Sequence, residues 1–201
     1  MANECNAGKM DVIINDTTGN PAPLGLCAFG MTTVLLNLHN AGYYPLDSMI
    51  LAMGIFYGGL AQVIAGAMEW KKKNTFATLA FTSYGMFWLT LVALIVMPKL
   101  GWMDKPTEPA FASYLIIWGI FTAFLFIGTF RLNRALQFVF GSLVLLFFLL
   151  GYKHATGDAS LEHFTGIEGI ICGASAIYTG MAQLLNEVYG KTLLPIGPVK
   201  K

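Results

Sequence analysis

The chain has 201 residues, of which 56% are hydrophobic and 11% charged, with a net charge of +1 and a mean hydropathy of +0.62. Soluble domains carry roughly 25% charged residues, so the composition excludes an ordinary soluble fold and reads as a polytopic membrane protein. The small net charge gives no support to a nucleic-acid partner, and Cys5, Cys27 and Cys172 form neither a disulfide framework nor a metal-ligand spacing.

Residues 1–19 are polar, with Glu4, Lys9, Asp11 and Asp16 and no long apolar run of the secretory-signal kind. A disordered tail is expected there. The first apolar run opens with Asn20-Pro21-Ala22-Pro23-Leu24-Gly25-Leu26. Pro21 and Pro23 fix φ and remove two N–H donors, which suits a helix's first turn, where those donors lack partners. A membrane span needs about 20 apolar residues, and six runs qualify, at 23–40, 49–68, 76–97, 111–130, 135–150 and 165–185. The connections are short: 41–48, 69–75, 98–110, a tight hairpin at 131–134 and a polar loop at 151–164. The expectation is an all-α membrane protein of six transmembrane helices over 20–197, followed by a basic tail at 198–201. With six spans, one face holds Lys9, Lys71, Lys72, Lys73, Arg131, Arg134, Lys191, Lys200 and Lys201, and the other only Lys99, Lys105 and Lys153. Cytoplasmic loops are enriched in Lys and Arg, so both termini are expected in the cytoplasm of a cell (inner) membrane protein.

Two runs share a 4-3-4 spacing of small residues: Gly54, Gly58, Ala61 and Ala65 in the second, and Gly169, Gly173, Ala176 and Gly180 in the sixth. On a helix each set forms one stripe containing Gly-x-x-x-Gly, which lets membrane helices approach closely. Gly54, Gly58, Gly169 and Gly173 are therefore expected to pack helices within one subunit or to join subunits.

Enzyme chemistry has little footing. His39, His154 and His163 are scattered, and no His-Glu-x-x-His or Cys-x-x-Cys is present, so neither a metal site nor a cofactor is expected. Ser175 in Gly173-Ala174-Ser175-Ala176 has no span-embedded base to activate it. No Lys or Arg lies inside any of the six runs, so an anion cannot meet a basic side chain at membrane depth. A carboxylate would rely on hydrogen-bond donors or helix N-termini, cross protonated, or be concentrated by basic residues at the mouths. All three routes favour a small monocarboxylate, because desolvating a multiply charged ion costs more. Asn37, His39 and Asn40 at the end of the first run suit either a helix cap or a polar vestibule. Glu168 is the one acid inside a run, and an intramembrane carboxylate invites a functional role.

The Asn20–Leu26 segment resembles the signature of the acetate uptake transporter family, the succinate–acetate permeases and their yeast relatives. Asn37-Leu38-His39-Asn40, Gly54-Ile55-Phe56-Tyr57-Gly58-Gly59, Phe81-Thr82-Ser83-Tyr84-Gly85 and Cys172-Gly173-Ala174-Ser175-Ala176 are similar to that family in the same order. The resemblance implies transport of acetate and related small carboxylates, with succinate an open candidate, proton-linked or channel-like. It implies a homo-oligomer, a hexamer, in the lipid bilayer. It also implies a path that narrows at Phe29, Tyr84 and Leu143, a neck that gates by dewetting. Thr33, Ser83, Gln137 and Ala176 are further candidates for lining the path, Ala176 because a small side chain leaves space beside the neck. The rival readings are a passive channel for anions or for a small neutral solute such as ammonia, and a non-transporting scaffold or sensor.

Overall fold

The computed structural model describes residues 18–199, so residues 1–17 of the tail expected at 1–19 and the last two lysines lie outside the described residues. The described chain is helical throughout, apart from an isolated bridge between Asn133 and Pro198. Six long helices follow one another: α1 (Ala22–Asn40), α2 (Ser48–Lys71), α3 (Thr75–Lys99), α4 (Glu108–Thr129), α5 (Arg134–Thr156) and α6 (Glu162–Tyr189). By length and composition α1 to α5 suffice to cross a membrane. The 28-residue α6 is long enough but more polar, and it packs in the same bundle.

Helix starts follow the local chemistry. At α1 the Asn20 Oδ1 accepts from the Ala22 N–H at 3.1 Å, while Pro21 and Pro23 have no N–H to satisfy. Asp47, Asn74, Thr107 and Asn133 cap α2 to α5 with their side chains. α5 and α6 end at Gly157 and Gly190, both with positive φ, where glycine bears no steric penalty. α5 runs six residues past the expected end at 150, through a stretch read as loop. Tyr152, Lys153 and His154 lower its hydropathy, but they suit the last turn of a helix, where cations meet the negative end of the dipole.

α2 departs from α-geometry over Met53–Ala61, a nine-residue π-helical segment that contains the Gly54–Gly59 motif. Each i→i+5 turn holds one residue more than an α turn, so the faces beyond it rotate. The buried stripe of α2 consequently passes from Gly58 to Gln62 and Ala65, leaving Ala61 half-buried instead of in line with Gly54 and Gly58 as a 3.6-residue period places it.

The helices close a ring in the order α3, α2, α1, α6, α5, α4. α1 and α6 cross most intimately. A Cβ on Gly30 would lie 2.6 Å from the Gly173 carbonyl oxygen, and one on Gly173 would lie 2.7 Å from the Gly30 carbonyl oxygen. Gly169 faces the Asn37 amide of α1, Gly54 faces Trp88 and Val92 of α3, and Gly58 faces Thr32 and Trp88. Gly54, Gly58, Gly169 and Gly173 thus sit against helices of their own chain. α3 and α4 meet mainly through side chains, by Tyr84 with Thr122 and by Phe87 with Trp118. Beyond α6, residues 191–199 fold back so that the Gly197 and Ile196 carbonyls accept from the first N–H groups of α5, at 2.8 and 3.1 Å.

Candidate functional site: a neck below a charged chamber

Phe29 of α1, Tyr84 of α3 and Leu143 of α5 are buried to 6%, 3% and 3% exposure and line one small cavity at the centre of the ring. Gly25, one turn before Phe29, faces the Phe81 ring so closely that a Cβ would come within 2.6 Å of it, which seats α3 against α1 at this level. The cavity measures about 20 Å³, room for about one water, and Gln62, Phe81 and Phe140 are also on its wall. Phe29 and Tyr84 ring centroids are 5.9 Å apart, and Tyr84 also touches Phe121 and Phe140 at 5.9 and 6.2 Å.

The Tyr84 hydroxyl does not point to a free partner. It donates to Thr122 Oγ1 at 2.9 Å, and Thr122 donates onward to the Trp118 carbonyl at 2.7 Å. The hydroxyl therefore ties α3 to α4. The polar group with open capacity on the cavity wall is Gln62, 1% exposed, with neither amide atom hydrogen-bonded. Thr33, one turn beyond Phe29, is also buried with an unpartnered hydroxyl.

Beyond the neck lies a chamber of about 500 Å³ at the end of the bundle formed by 41–47 and 100–107. Its deep wall is apolar, with Phe87, Leu91 and Leu115. Leu91 is seven residues beyond Tyr84 on α3, a rise of about 10 Å. Its mouth carries Lys99, Lys105 and Lys153 with Glu108, Glu162, His39 and His154. Lys153 pairs with Glu162 at 2.6 Å, His154 meets Glu108 at 2.7 Å, and Lys105 lies 3.6 Å from Glu108. Lys99 has no ion pair among the described residues. His39 lines this chamber while its Nδ1 bonds the Tyr44 carbonyl at 2.9 Å. Asn37 is fully buried, donating to the Thr33 carbonyl and accepting from Asn40. The end of α1 thus serves as both cap and chamber wall.

The other expected residues fall elsewhere. Gln137 sits at the α4–α5 hairpin, accepting from Arg134 at 2.9 Å and donating to the Thr129 carbonyl. Ser83 is half-buried and off the cavity wall. Ala176 is fully buried in the core cluster with Leu143 and Cys172. Glu168 is 8% exposed, with Oε2 unpartnered. Ser175 donates to the Cys172 carbonyl of its own helix. Among the described residues no cluster of His, Cys, Asp or Glu could hold a metal ion.

A ring of apolar helices around a neck of this kind, with a wide charged mouth on one side, defines a multi-pass membrane protein of the channel and carrier class. The chain belongs to the GPR1/FUN34/yaaH family, whose match extends over residues 1–199. It is 60% identical over 183 residues to the succinate-acetate/proton symporter SatP of Escherichia coli (strain K12), covering 91% of this chain and 97% of that one. The solved structure of the bacterial acetate channel SatP superposes with a TM-score of 0.89 at 60% identity, over 90% of this chain and all of that one. A more distant relative, the ammonia transport outward protein 2 of Saccharomyces cerevisiae, is 34% identical over 84% of this chain and 62% of its own length.

Proposed function

We propose that this protein transports acetate and related small carboxylates across the cell membrane. The path runs from the chamber through the neck at Phe29, Tyr84 and Leu143. The observation that carries this reading is the convergence of those three side chains, from three helices, on a single cavity of about 20 Å³ below the chamber. Three lysines against two glutamates at the mouth raise the local concentration of small anions. The neck itself offers no cation, so it suits a small acid of low charge. The 60% identity to a protein named as a succinate-acetate/proton symporter supports both the substrate class and a proton link.

In this reading α6 is the sixth span, residues 20–197 form one transport domain, and both termini are cytoplasmic, placing the chamber outside. The chain assembles as a homo-oligomer, a hexamer by family resemblance, with apolar side chains such as Phe56, Phe124 and Phe138 facing lipid or neighbouring copies. A second reading is passage of a small neutral solute such as ammonia. The kinship to a yeast ammonia transport protein and a cavity the size of one water favour it.

Labelled acetate uptake into proteoliposomes, with pH gradient and membrane potential set independently, tests the proposal. Uptake driven by a proton gradient at zero potential is expected. Uptake that follows potential alone would indicate an anion channel. Ammonia flux without acetate flux would favour the second reading, and no flux of either would leave a scaffold or sensor.

A further inference from the structure

Two residues on the cavity wall carry polar side-chain atoms, Tyr84 and Gln62. Tyr84 is committed to Thr122, whereas the buried Gln62 amide has an unbonded carbonyl oxygen and an unbonded NH2 group. Buried polar groups in native proteins are nearly always bonded, so an orphan amide in a cavity marks a place where a partner arrives. The π-helical segment that ends at Ala61 rotates α2 so that Gln62 takes this position.

We propose that Gln62 is the substrate-recognition residue of the neck and that it reads the undissociated carboxylic acid in preference to the carboxylate. The inference rests on the transport reading above and specifies which species crosses. A primary amide presents a donor and an acceptor along one edge. A neutral carboxylic acid presents the complementary pair, an acceptor carbonyl and a donor hydroxyl, so two antiparallel hydrogen bonds close a ring between them. A carboxylate offers acceptors only. One of its oxygens would face the Gln62 carbonyl, and no lysine or arginine lines the cavity to offset the charge. The aromatic wall of Phe29, Phe81 and Phe140 suits the apolar part of the acid. Because the cavity holds about one water, the neck side chains must part as the acid enters, and the pairing with Gln62 offsets the loss of the acid's hydration there.

The test is labelled acetate uptake into proteoliposomes at zero potential and constant total acetate, across a pH series, after subtraction of flux into protein-free vesicles. Acetamide serves as competitor, since it is neutral at every pH and carries the same donor–acceptor edge. Wild-type flux is expected to follow the undissociated acid, falling about tenfold per pH unit above the acid's pKa, with acetamide competing at every pH. Q62L is expected to lose flux about thirtyfold, from two neutral hydrogen bonds, and to lose acetamide competition. Its thermal stability should hold or rise, because the orphan amide is gone. Q62N keeps the amide one methylene short and is expected to fall between the two, which preserves the test if Q62L does not fold. Flux that follows total acetate would overturn the acid-form reading. Wild-type flux and acetamide competition in both variants would overturn the role of Gln62. A wild-type protein with no flux above protein-free vesicles would instead overturn the transport reading itself.

Discussion

Tyr84→Phe separates two roles that the sequence alone leaves superimposed, the ring that narrows the path and the hydroxyl that could touch substrate. The hydroxyl donates to Thr122 Oγ1 at 2.9 Å, and Thr122 keeps its own donor bond to the Trp118 carbonyl whether or not Tyr84 is present. Removing it therefore leaves no donor stranded and costs one neutral hydrogen bond, about 1 kcal/mol. For a chain of this size that corresponds to a drop of about 2–4 °C in Tm. Tyr84→Phe/Thr122→Val should be no less stable than Thr122→Val alone, which already loses both bonds, with a coupling of about 1 kcal/mol in the double-mutant cycle. Acetate uptake should stay within about twofold of wild type, because the ring that shapes the neck is retained. Thermal unfolding of the purified protein in detergent and uptake into proteoliposomes read the two effects separately. A Tyr84→Phe protein of unchanged Tm but uptake reduced tenfold or more would refute the reasoning, placing the hydroxyl on the substrate instead of on α4.

Leu143→Ala removes the bulk of one neck wall and should raise uptake of four-carbon acids relative to acetate by about tenfold, the scale of apolar size discrimination, measured by competition. Gly173→Ala places a methyl 2.7 Å from the Gly30 carbonyl, and forcing α1 from α6 should cost about 1–3 kcal/mol or more, visible as a lowered Tm and less monodisperse protein. Lys99→Ala combined with Lys105→Ala should weaken binding of the acetate anion at the chamber mouth two- to threefold at low ionic strength, read by titration of the purified protein above the acid's pKa, and the difference should vanish near 1 M salt, where the screening length is about 3 Å.

Much of the molecule is legible from composition and pattern. Four apolar runs bounded by lysines, prolines and caps became helices within three residues of their expected ends, the fifth ran six residues past its expected end, and the sixth, more polar one lengthened by about a turn at each end to Glu162–Tyr189. Hydropathy misjudged α5, whose final turn ends at Gly157 because that residue takes a positive φ. The glycines at 54, 58, 169 and 173 announced close helix packing, and the structure supplies their partners. Gln62 lies in the second apolar run with no motif of its own. A lone amide in an apolar run gives no sign of whether it finds a partner, and a 3.6-residue period does not describe a π-helical stretch. Thr122 sits in an ordinary apolar run with nothing in the sequence to mark it, and only the neighbouring helix shows that it holds Tyr84. Gln137, a candidate for lining the path, bonds Arg134 and the Thr129 carbonyl at the hairpin.

The sequence by itself determined the environment, the helices and most of their ends. Those follow from transfer of apolar side chains into lipid and from the local rules of capping, both readable residue by residue. Only the tertiary structure decided which faces meet around the axis, because helix rotation depends on the packing of all six helices together. Through the close crossing of Gly30 with Gly173, the seating of Phe81 on Gly25 and the turn added by the π-helical segment, it brought Phe29, Tyr84 and Leu143 to one cavity. It also left the Gln62 amide there without a partner.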